Sequence, residues 1–384
     1  MRLLHTSDWH LGRALHGLSL IDAQRDAVDL VVREAIVRKV DLLIIAGDVF
    51  DRAVPPIEAL RILNEAVTRL NEAAIPVVVI AGNHDSGERL STYSSVLRDG
   101  VWVVGDTDSL ANPIVFDDEH GEVLVYALPF LDPDLMRHAL GADEPLERSH
   151  DAVMSRALEL IAEDRSARGN PRSVAIGHAF VVGREAPDVS ESERDLSIGG
   201  VQAVPVSRFT GSFDYVALGH LHRPQQVGDS EVRYSGSLLR YSFSESGHAK
   251  SFLIVDVGAP GTDIEVEQVE IPQPRPMSRL RGSMNDLLSD AHAEARDHFV
   301  ELIVTEESYP ERMHARLDAV YPHALRKEFE TTRSTDRGAA RGDARGRDPV
   351  EVIRDFLDTT GVAVDEDGEI ALVRQVYERV REAR

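Results

Sequence analysis

Four apolar segments of this chain end in the same way, and this repetition limits the folds that the chain can adopt. Continuous Val, Ile and Leu residues are typical of strands that are buried on both faces of a sheet. Each segment then reaches a glycine, which favours a tight turn, and a side chain that can bind a metal ion. The segments are LLIIAGD, VVVIAGN, SVAIGH and YVALGH, and they end at Asp48, Asn83, His178 and His220.

Helical patterns lie between some of these strands. The apolar residues of Ile57 to Glu72 and of Asp151 to Asp164 recur at helical spacing. Strands that alternate with helices are typical of α/β folds, in which ligands bind at the carboxyl ends of the strands. We therefore predict an α/β sandwich with its functional site at that edge.

Two further pairs of side chains add to the candidate site. Residues i and i+2 of an extended segment point to the same side, so the DWH and HLH segments each present two possible ligands together. The complete candidate set is Asp8, His10, Asp48, Asn83, His178, His220 and His222.

This set is too large for one metal ion, but it divides between two ions if a carboxylate bridges them. We predict that Asp48 is the bridge. Imidazole, carboxylate and amide ligands without thiolate favour Mn²⁺, with Fe²⁺ or Zn²⁺ as alternatives. Such a pair of ions can bind a phosphate ester and hold a hydroxide for in-line attack. The predicted ligands beside Asp48 are Asp8, His10 and His222 for one ion and Asn83, His178 and His220 for the other.

The alkoxide that leaves in such a reaction needs a proton, and the segment GNHDSG offers a donor. His84 follows the predicted ligand Asn83, and Asp85 follows His84. Imidazole titrates near neutral pH, and a neighbouring carboxylate can orient it and keep it protonated. We predict that His84 is the general acid and that Asp85 orients it. The alternative for Asp85 is a capping role after the turn.

Composition excludes several classes of site. The chain has 384 residues, of which 42% are hydrophobic and 28% are charged, as in ordinary globular proteins. It has no cysteine, which excludes disulfides, thiolate zinc sites and cysteine nucleophiles. No apolar run approaches the roughly 20 residues of a membrane span, and the start MRLLHTSDWH lacks the pattern of a signal peptide. We expect a cytoplasmic protein.

Taken in order, the motifs DWH, GDVFD, GNHD, GH and GHLH resemble those of the calcineurin-like metallophosphoesterase superfamily. A closer resemblance, over essentially the whole chain, is to the SbcD family of bacterial exonuclease subunits, which is related to the eukaryotic and archaeal double-strand-break repair nucleases. It is carried by HTSDWHLGR, AGDVFDRAVPP, AGNHDSGERL, YSGSLLRYSFSE and RLRGSMNDLL. The predicted ligands and His84 fall on matching positions, whereas Asp51 stands where some relatives have a second active-site histidine.

The resemblance implies a four-layer α/β/β/α metallophosphoesterase sandwich with a small α+β capping domain and a C-terminal helical segment. It also implies Mn²⁺-dependent DNA cleavage in repair, recombination and replication, as a 3′-to-5′ exonuclease on duplex ends and an endonuclease on single strands or hairpins. The implied partners are a second copy of the chain and SbcC, an SMC-like ATPase. Two alternatives stay open: a protein phosphatase or cyclic-nucleotide phosphodiesterase of the same superfamily, and a non-catalytic subunit that tethers DNA ends.

A net charge of −24 is opposite in sign to the charge that DNA binding needs. Local arginines can still make the cleft positive, and an ATPase partner can supply part of the DNA contact. We therefore expect weak, salt-sensitive DNA binding by the isolated chain. The arginines predicted to contact DNA are Arg13, Arg52, Arg89, Arg184 and Arg240.

Changes in composition divide the chain into four predicted regions. Residues 1–271 form the nuclease domain, 272–330 the capping domain, 331–348 a flexible linker, and 349–384 a helical segment that docks a partner. In the capping domain we predict a helix over Ser283 to Ala295. The terminal helix carries an apolar stripe that either packs back on the chain or binds the ATPase, and helices around Ile57 to Leu70 or Leu90 to Leu97 are candidates for a dimer contact. The stripe consists of Ile370, Val373, Val376, Tyr377 and Val380.

Overall fold

The computed structural model describes residues 1–185, 187–193, 203–332, 350–354 and 370–382. Two six-stranded mixed sheets form the centre of the fold. In spatial order, the first sheet consists of Glu265–Glu270, Ser251–Asp256, Arg2–Thr6, Leu42–Ala46, Val77–Ile80 and Val101–Val104. The second consists of Gln225–Gln226, Val232–Tyr234, Tyr215–Gly219, Arg172–His178, Gly121–Leu128 and Ile114–Asp118.

Both sheets are parallel at their centres; the second is antiparallel at both edges, and the first is antiparallel at one edge and parallel at the other. Strand Leu42–Ala46 pairs in parallel with both of its neighbours, Arg2–Thr6 and Val77–Ile80. In the second sheet, Arg172–His178 likewise pairs in parallel with Gly121–Leu128 and Tyr215–Gly219. The central strands of each sheet therefore send their carboxyl ends to one edge.

Burial on both faces explains why the central strands are uninterrupted apolar runs. Successive side chains of a strand point to opposite faces. Accordingly, Leu43 and Ile45 pack in the cluster that contains helix residues, whereas Leu42 and Ile44 pack against the second sheet. All four are fully buried, and burial of each stabilises the fold by about 1.5–3 kcal/mol.

Helices cover the outer face of each sheet. Helices Ile21–Arg38 and Ile57–Glu72 pack on the first sheet, and His150–Ala167 packs on the second. Short helices Gly87–Leu90 and Pro133–Ala139 follow strands of the two sheets. The layer order is α/β/β/α, and the predicted fold class is confirmed.

A smaller α+β unit follows the sandwich. Its three strands, Met277–Gly282, Phe299–Glu306 and Ala324–Thr331, form a parallel sheet in that order. The predicted helix over Ser283 to Ala295 is wrong: a one-turn helix, Met284–Leu287, is followed by a 3₁₀ segment, Asp290–Asp297, that is broken at His292. Serines 283 and 289 cap the two pieces and separate them. Helix Met313–Val320 completes the unit.

The C-terminal helix spans Ala371–Glu382. It exposes Leu372, Val376 and Tyr377, which include two residues of the predicted apolar stripe. Residues 350–354 are also helical, whereas nearly all of the predicted linker lies outside the described residues. Across the described part of the chain, we find no helix of the length and apolarity that a membrane span requires.

Candidate metal centre

The two sheets meet closely at the carboxyl ends of their central strands. The ring of His178, in the second sheet, lies with Nδ1 2.9 Å from the carbonyl oxygen of Ala46, in the first. A Cβ on Gly219 would stand 1.9 Å from that same oxygen, and a Cβ on Gly47 would stand 2.3 Å from His178 Nδ1. Gly47 and Gly219 therefore have to be glycines, because a side chain at either position would prevent the two sheets from lying this close together.

The first group of predicted ligands joins the start of the chain to the HLH segment. His10 Nε2 lies 3.0 Å from His222 Nε2. A cluster of three possible ligand atoms, all within 4.8 Å of one another, comes from Asp8, His10 and His222. All three side chains are buried. Three donors of these types in one place could hold a divalent cation.

The second group lies around Asn83. Its Oδ1 atom is 3.0 Å from His178 Nε2 and 3.1 Å from His220 Nδ1. The rings of His178 and His220 make an edge contact with a centroid distance of 5.4 Å. Asn83, His178 and His220 therefore point their donor atoms at a common volume.

Asp48 lies between the two groups. Its Oδ1 atom accepts a hydrogen bond of 2.8 Å from the backbone N–H of His84, which fixes the carboxylate. Its Oδ2 atom is 3.6 Å from His10 Nε2 and 3.5 Å from His178 Nε2. This is the placement that a carboxylate shared by two ions needs.

Unusual backbone conformations accompany these side chains. Asp8, His10, Asp48 and His220 have φ angles of 51°, 43°, 48° and 110°. Non-glycine residues with positive φ are uncommon, and such strain persists where the surrounding structure imposes it. Here the backbone N–H of His10 donates to the Asp48 carbonyl at 2.9 Å, so the two loops that carry these residues hold each other.

Two of the imidazoles, those of His178 and His222, make hydrogen bonds through Nδ1, the nitrogen that points away from the site. Their Nε2 atoms are therefore available to bind a cation. A carbonyl oxygen can only accept, so His178 Nδ1 donates to Ala46 and its Nε2 faces the site. For His222, Nδ1 lies 3.0 Å from Ser192 Oγ and 3.3 Å from Glu245 Oε1. Outer contacts of this kind fix the tautomer of metal-binding histidines.

Burial and charge set the protonation states in the absence of a metal ion. Burial raises the pKa of Asp8 to about 6, although the charge of His178 opposes it. Burial would also raise the pKa of Asp48, but His178 and His10 hold that pKa well below its usual range. Burial would lower the pKa of His178, but Asp48 raises it to about 9. A cation bound beside Asp48 would therefore displace the proton of His178.

The structure corrects one contact that was predicted for His84. His84 Nδ1 lies 3.0 Å from the backbone carbonyl of Asp51, which must be the acceptor. Asp85 instead accepts hydrogen bonds of 3.0 Å from the backbone N–H groups of Val49, Phe50 and Gly82. Asp85 therefore ties the loops together rather than orienting the imidazole, because its carboxylate is fully engaged by main-chain donors.

The ring of His84 nevertheless lies at the site. Its centroid is 4.7 Å from that of His10, and His84 forms a third cluster of possible ligand atoms with His10 and Asp48. With Nδ1 bound to the Asp51 carbonyl, Nε2 is the atom that can exchange a proton with a substrate.

Comparison with known protein families assigns the part of the chain that carries this site to a family. Residues 1–224 match the family model of the calcineurin-like phosphoesterases, which is more than half of the 384 residues. The chain belongs to the calcineurin-like phosphoesterase family. All seven predicted ligands, as well as His84, lie within the matched residues. Residues 273–360 of the phosphoesterase match a second model, SbcD_C, described as the Type 5 capsule protein repressor C-terminal domain.

Solved structures show more distant likenesses to the phosphoesterase. The crystal structure of TT1561 of Thermus thermophilus is 15% identical, with a TM-score of 0.40, over 71% of this chain and 99% of that one. A dimetal phosphatase from Danio rerio is 12% identical, with a TM-score of 0.41, over 71% of this chain and 97% of that one. Both likenesses are too low to add to the family assignment.

The arginines predicted to contact DNA lie in different environments. The guanidinium of Arg13 lies 5.3 Å from the ring centre of Tyr241, whose ring contacts that of His10, and 3.6 Å from Asp51. Arg240 is half-buried, and its Nε donates to the carbonyl of His248 at 3.0 Å. The exposed members of the set are Arg52, Arg89 and Arg184.

A side chain that supports His10 was not predicted from the sequence. Gln24 is fully buried on helix Ile21–Arg38. Its Nε2 donates to the His10 carbonyl at 2.8 Å, and its Oε1 accepts from the backbone N–H of Gly12 at 2.9 Å. One sign of this role was visible in the sequence, an amide residue on the apolar face of a helix. Because buried polar groups need hydrogen-bond partners, such a residue is expected to bind backbone groups nearby.

Proposed function

We propose that this phosphoesterase is a Mn²⁺-dependent DNA nuclease subunit of the SbcD type. The main support is the convergence of seven oxygen and nitrogen donors from both sheets on one buried site. The match of residues 273–360 to the SbcD_C model supports the more specific choice within the family. The reaction is hydrolysis of DNA phosphodiesters.

For the ligands we propose the same division that we predict from the sequence. Asp48 would be shared by the two ions; the support is that its Oδ2 lies at nearly equal distances from His10 and His178. Asp8, His10 and His222 would hold one ion, and Asn83, His178 and His220 would hold the other. Donors of these types suit Mn²⁺, with Fe²⁺ or Zn²⁺ as alternatives.

The two ions would supply a nucleophilic hydroxide and neutralise charge at phosphorus. The protein contributes the proton. His84, protonated at both nitrogens, keeps its Nδ1 proton on the Asp51 carbonyl and gives its Nε2 proton to the leaving oxygen. Because His84 is held by a backbone carbonyl, its ring keeps one orientation through the reaction.

The proposed partners are DNA, an SbcC-like SMC-type ATPase and a second copy of the chain, in the cytoplasm. The exposed Leu372, Val376 and Tyr377 of the C-terminal helix suit docking to the ATPase. Exposed apolar side chains also support the predicted dimer contact. Ile57 and Val96, which lie in the two candidate segments, are 62% and 75% exposed.

The proposal is tested with a panel of labelled substrates in Mn²⁺: hairpin DNA, duplex ends, a phosphopeptide and a cyclic nucleotide. We expect cleavage of DNA, weak in the isolated chain and lost at high salt, and little turnover of the small substrates. Preferred turnover of phosphopeptide or cyclic nucleotide would instead assign the chain to another branch of the family. Binding of DNA ends without any cleavage would indicate a tethering subunit.

A further inference from the structure

A fully buried lysine lies behind the proposed ligand His222. Lys250 has no exposed surface, and its ammonium group makes three hydrogen bonds. Its Nζ donates to the carbonyl of His222 at 2.7 Å, to Ser237 Oγ at 2.9 Å and to Glu245 Oε2 at 2.6 Å. A buried charge is tolerated only when it is paired and hydrogen-bonded, and Lys250 meets both conditions.

Glu245 uses its other oxygen towards the ring of the same histidine. Oε1 is 3.3 Å from His222 Nδ1 and accepts from Ser192 Oγ at 2.8 Å and from Ser242 Oγ at 3.1 Å. Glu245 is also fully buried. The negative charge of Glu245 raises the pKa of His222, although burial opposes it.

The two residues therefore hold His222 at both ends. Lys250 binds its main-chain carbonyl. Glu245 binds its ring at Nδ1, both directly and through Ser192 Oγ, which lies 3.0 Å from Nδ1 and donates to Glu245. With Nδ1 occupied, Nε2 is directed at His10 Nε2, 3.0 Å away. Rotation of the ring would break the contact with Glu245, so the pair limits His222 to the orientation that faces the site.

Stability alone is a weak reason for such a pair. Desolvation of two charges can exceed their attraction, and replacement of a buried ion pair by apolar residues of similar size is often neutral or stabilising. A pair that contacts a proposed ligand at two points has a different use. Outer contacts of metal ligands typically contribute about 10- to 100-fold to metal affinity.

We propose that Glu245 and Lys250 are a positioning pair that presents His222 Nε2 to a divalent metal ion. This inference rests on the proposed function of the site. Neither residue contacts the reacting atoms, and the pair acts only through the orientation of His222.

The test uses a double variant in the full-length, metal-free chain, Glu245→Leu with Lys250→Met, and calorimetric titration with MnCl₂. Removing both charges together avoids a lone buried ion. We expect the double variant to retain its far-UV circular dichroism and to bind one Mn²⁺ about 10- to 100-fold more weakly than the wild type. Wild-type affinity for both ions would overturn the inference.

A second double variant, Glu245→Gln with Lys250→Met, keeps the shape of the pair and an acceptor for His222 Nδ1. We expect its loss of Mn²⁺ affinity to be smaller than that of the leucine variant but measurable. If the leucine variant does not fold, the glutamine variant decides alone, and wild-type affinity in it overturns the inference.

Asp118→Asn is the control, because it weakens a partly buried ion pair with Arg172 elsewhere in the second sheet. It should lower the midpoint of thermal unfolding and leave Mn²⁺ affinity unchanged. If Asp118→Asn lost as much Mn²⁺ affinity as the double variants, the loss would be explained by general destabilisation of the fold. That result would overturn the inference. A wild type that binds no Mn²⁺ would contradict the proposed function itself, whereas unchanged affinity in the variants contradicts only the positioning pair.

Discussion

His10 and His222 place their Nε2 atoms 3.0 Å apart, although 212 residues separate them in the chain. Both rings are buried, and Asp8 offers a carboxylate oxygen within 4.8 Å of both. Two imidazole nitrogens lie this close either because one donates a hydrogen bond to the other or because both bind the same cation. The fold thus brings together nitrogen and oxygen lone pairs at a place where they would stabilise a positive charge.

His84→Gln should separate metal binding from catalysis. The glutamine side chain can occupy a similar volume but cannot transfer the proton, and general acid catalysis typically contributes about 10²–10⁴-fold to the rate. We expect two Mn²⁺ ions per chain by elemental analysis and a loss of hairpin cleavage of that order. Cleavage near the wild-type rate would show that another group donates the proton.

Asp48→Ala should remove metal. The carboxylate that lies between His10 and His178 is lost, so both proposed ions lose a ligand. We expect the metal content after dialysis to fall well below that of the wild type. Asp51→Ala is the control, because Asp51 holds His84 through its backbone carbonyl, which the substitution keeps; it should retain metal. Full metal occupancy in Asp48→Ala would refute the bridging role.

Gly82→Ala should disturb the site by steric overlap with Asp48, although Gly82 itself offers no ligand atom from a side chain. A Cβ at this position would stand 2.2 Å from Asp48 Oδ1 and 2.3 Å from the Asp48 backbone nitrogen. The carboxylate must move, and such overpacking costs about 1–3 kcal/mol. We expect a lower free energy of unfolding and reduced Mn²⁺ content. At Gly247 nothing lies within 4 Å of an added Cβ, so Gly247→Ala should change neither quantity; similar effects in both variants would argue against the steric explanation.

The sequence was sufficient to predict this edge of the fold because a few local rules determine it. Uninterrupted apolar runs such as Leu42 to Ala46 require burial on both faces, and the glycine after each run allows the two sheets to approach. The folded chain brings the predicted ligands to that edge. Their roles as ligands stay predictions, as do the domain boundaries.

Other features depend on contacts between distant segments and could not be predicted. Asp85 lies next to His84 in the chain, but backbone donors from another loop engage its carboxylate. Lys250 is a charged residue with no local sign of burial, and only the folded chain supplies its three partners. The strand Met277–Gly282 carries arginines at alternate positions, so its apolar signal was weak.

His5 should make stability depend on pH. It is fully buried between Tyr215 Oη, 2.8 Å from Nδ1, and the Leu218 carbonyl, 3.1 Å from Nε2. Burial lowers its pKa from 6.5 to about 3. Between pH 6.5 and about 3, His5 binds a proton in the unfolded chain but not in the folded chain. The contribution of His5 to the free energy of unfolding is therefore complete above pH 6.5 and is lost as the pH falls towards 3.

His5→Gln removes this contribution. The stability difference between wild type and variant should shrink by about 1.4 kcal/mol for each pH unit below about 6. Urea denaturation of both proteins at several pH values between neutral and mildly acidic checks this, and other histidines cancel in the comparison. Parallel stability curves for the two proteins would contradict the neutral, buried state of His5.

The most direct test of the dinuclear site is anomalous scattering from crystals soaked in MnCl₂, measured at the manganese absorption edge. We predict two peaks about 3.5–4 Å apart, with Asp48 between them, one beside His10 and His222 and the other beside Asn83 and His178. A site without peaks, or a single ion away from Asp48, would contradict the dinuclear centre.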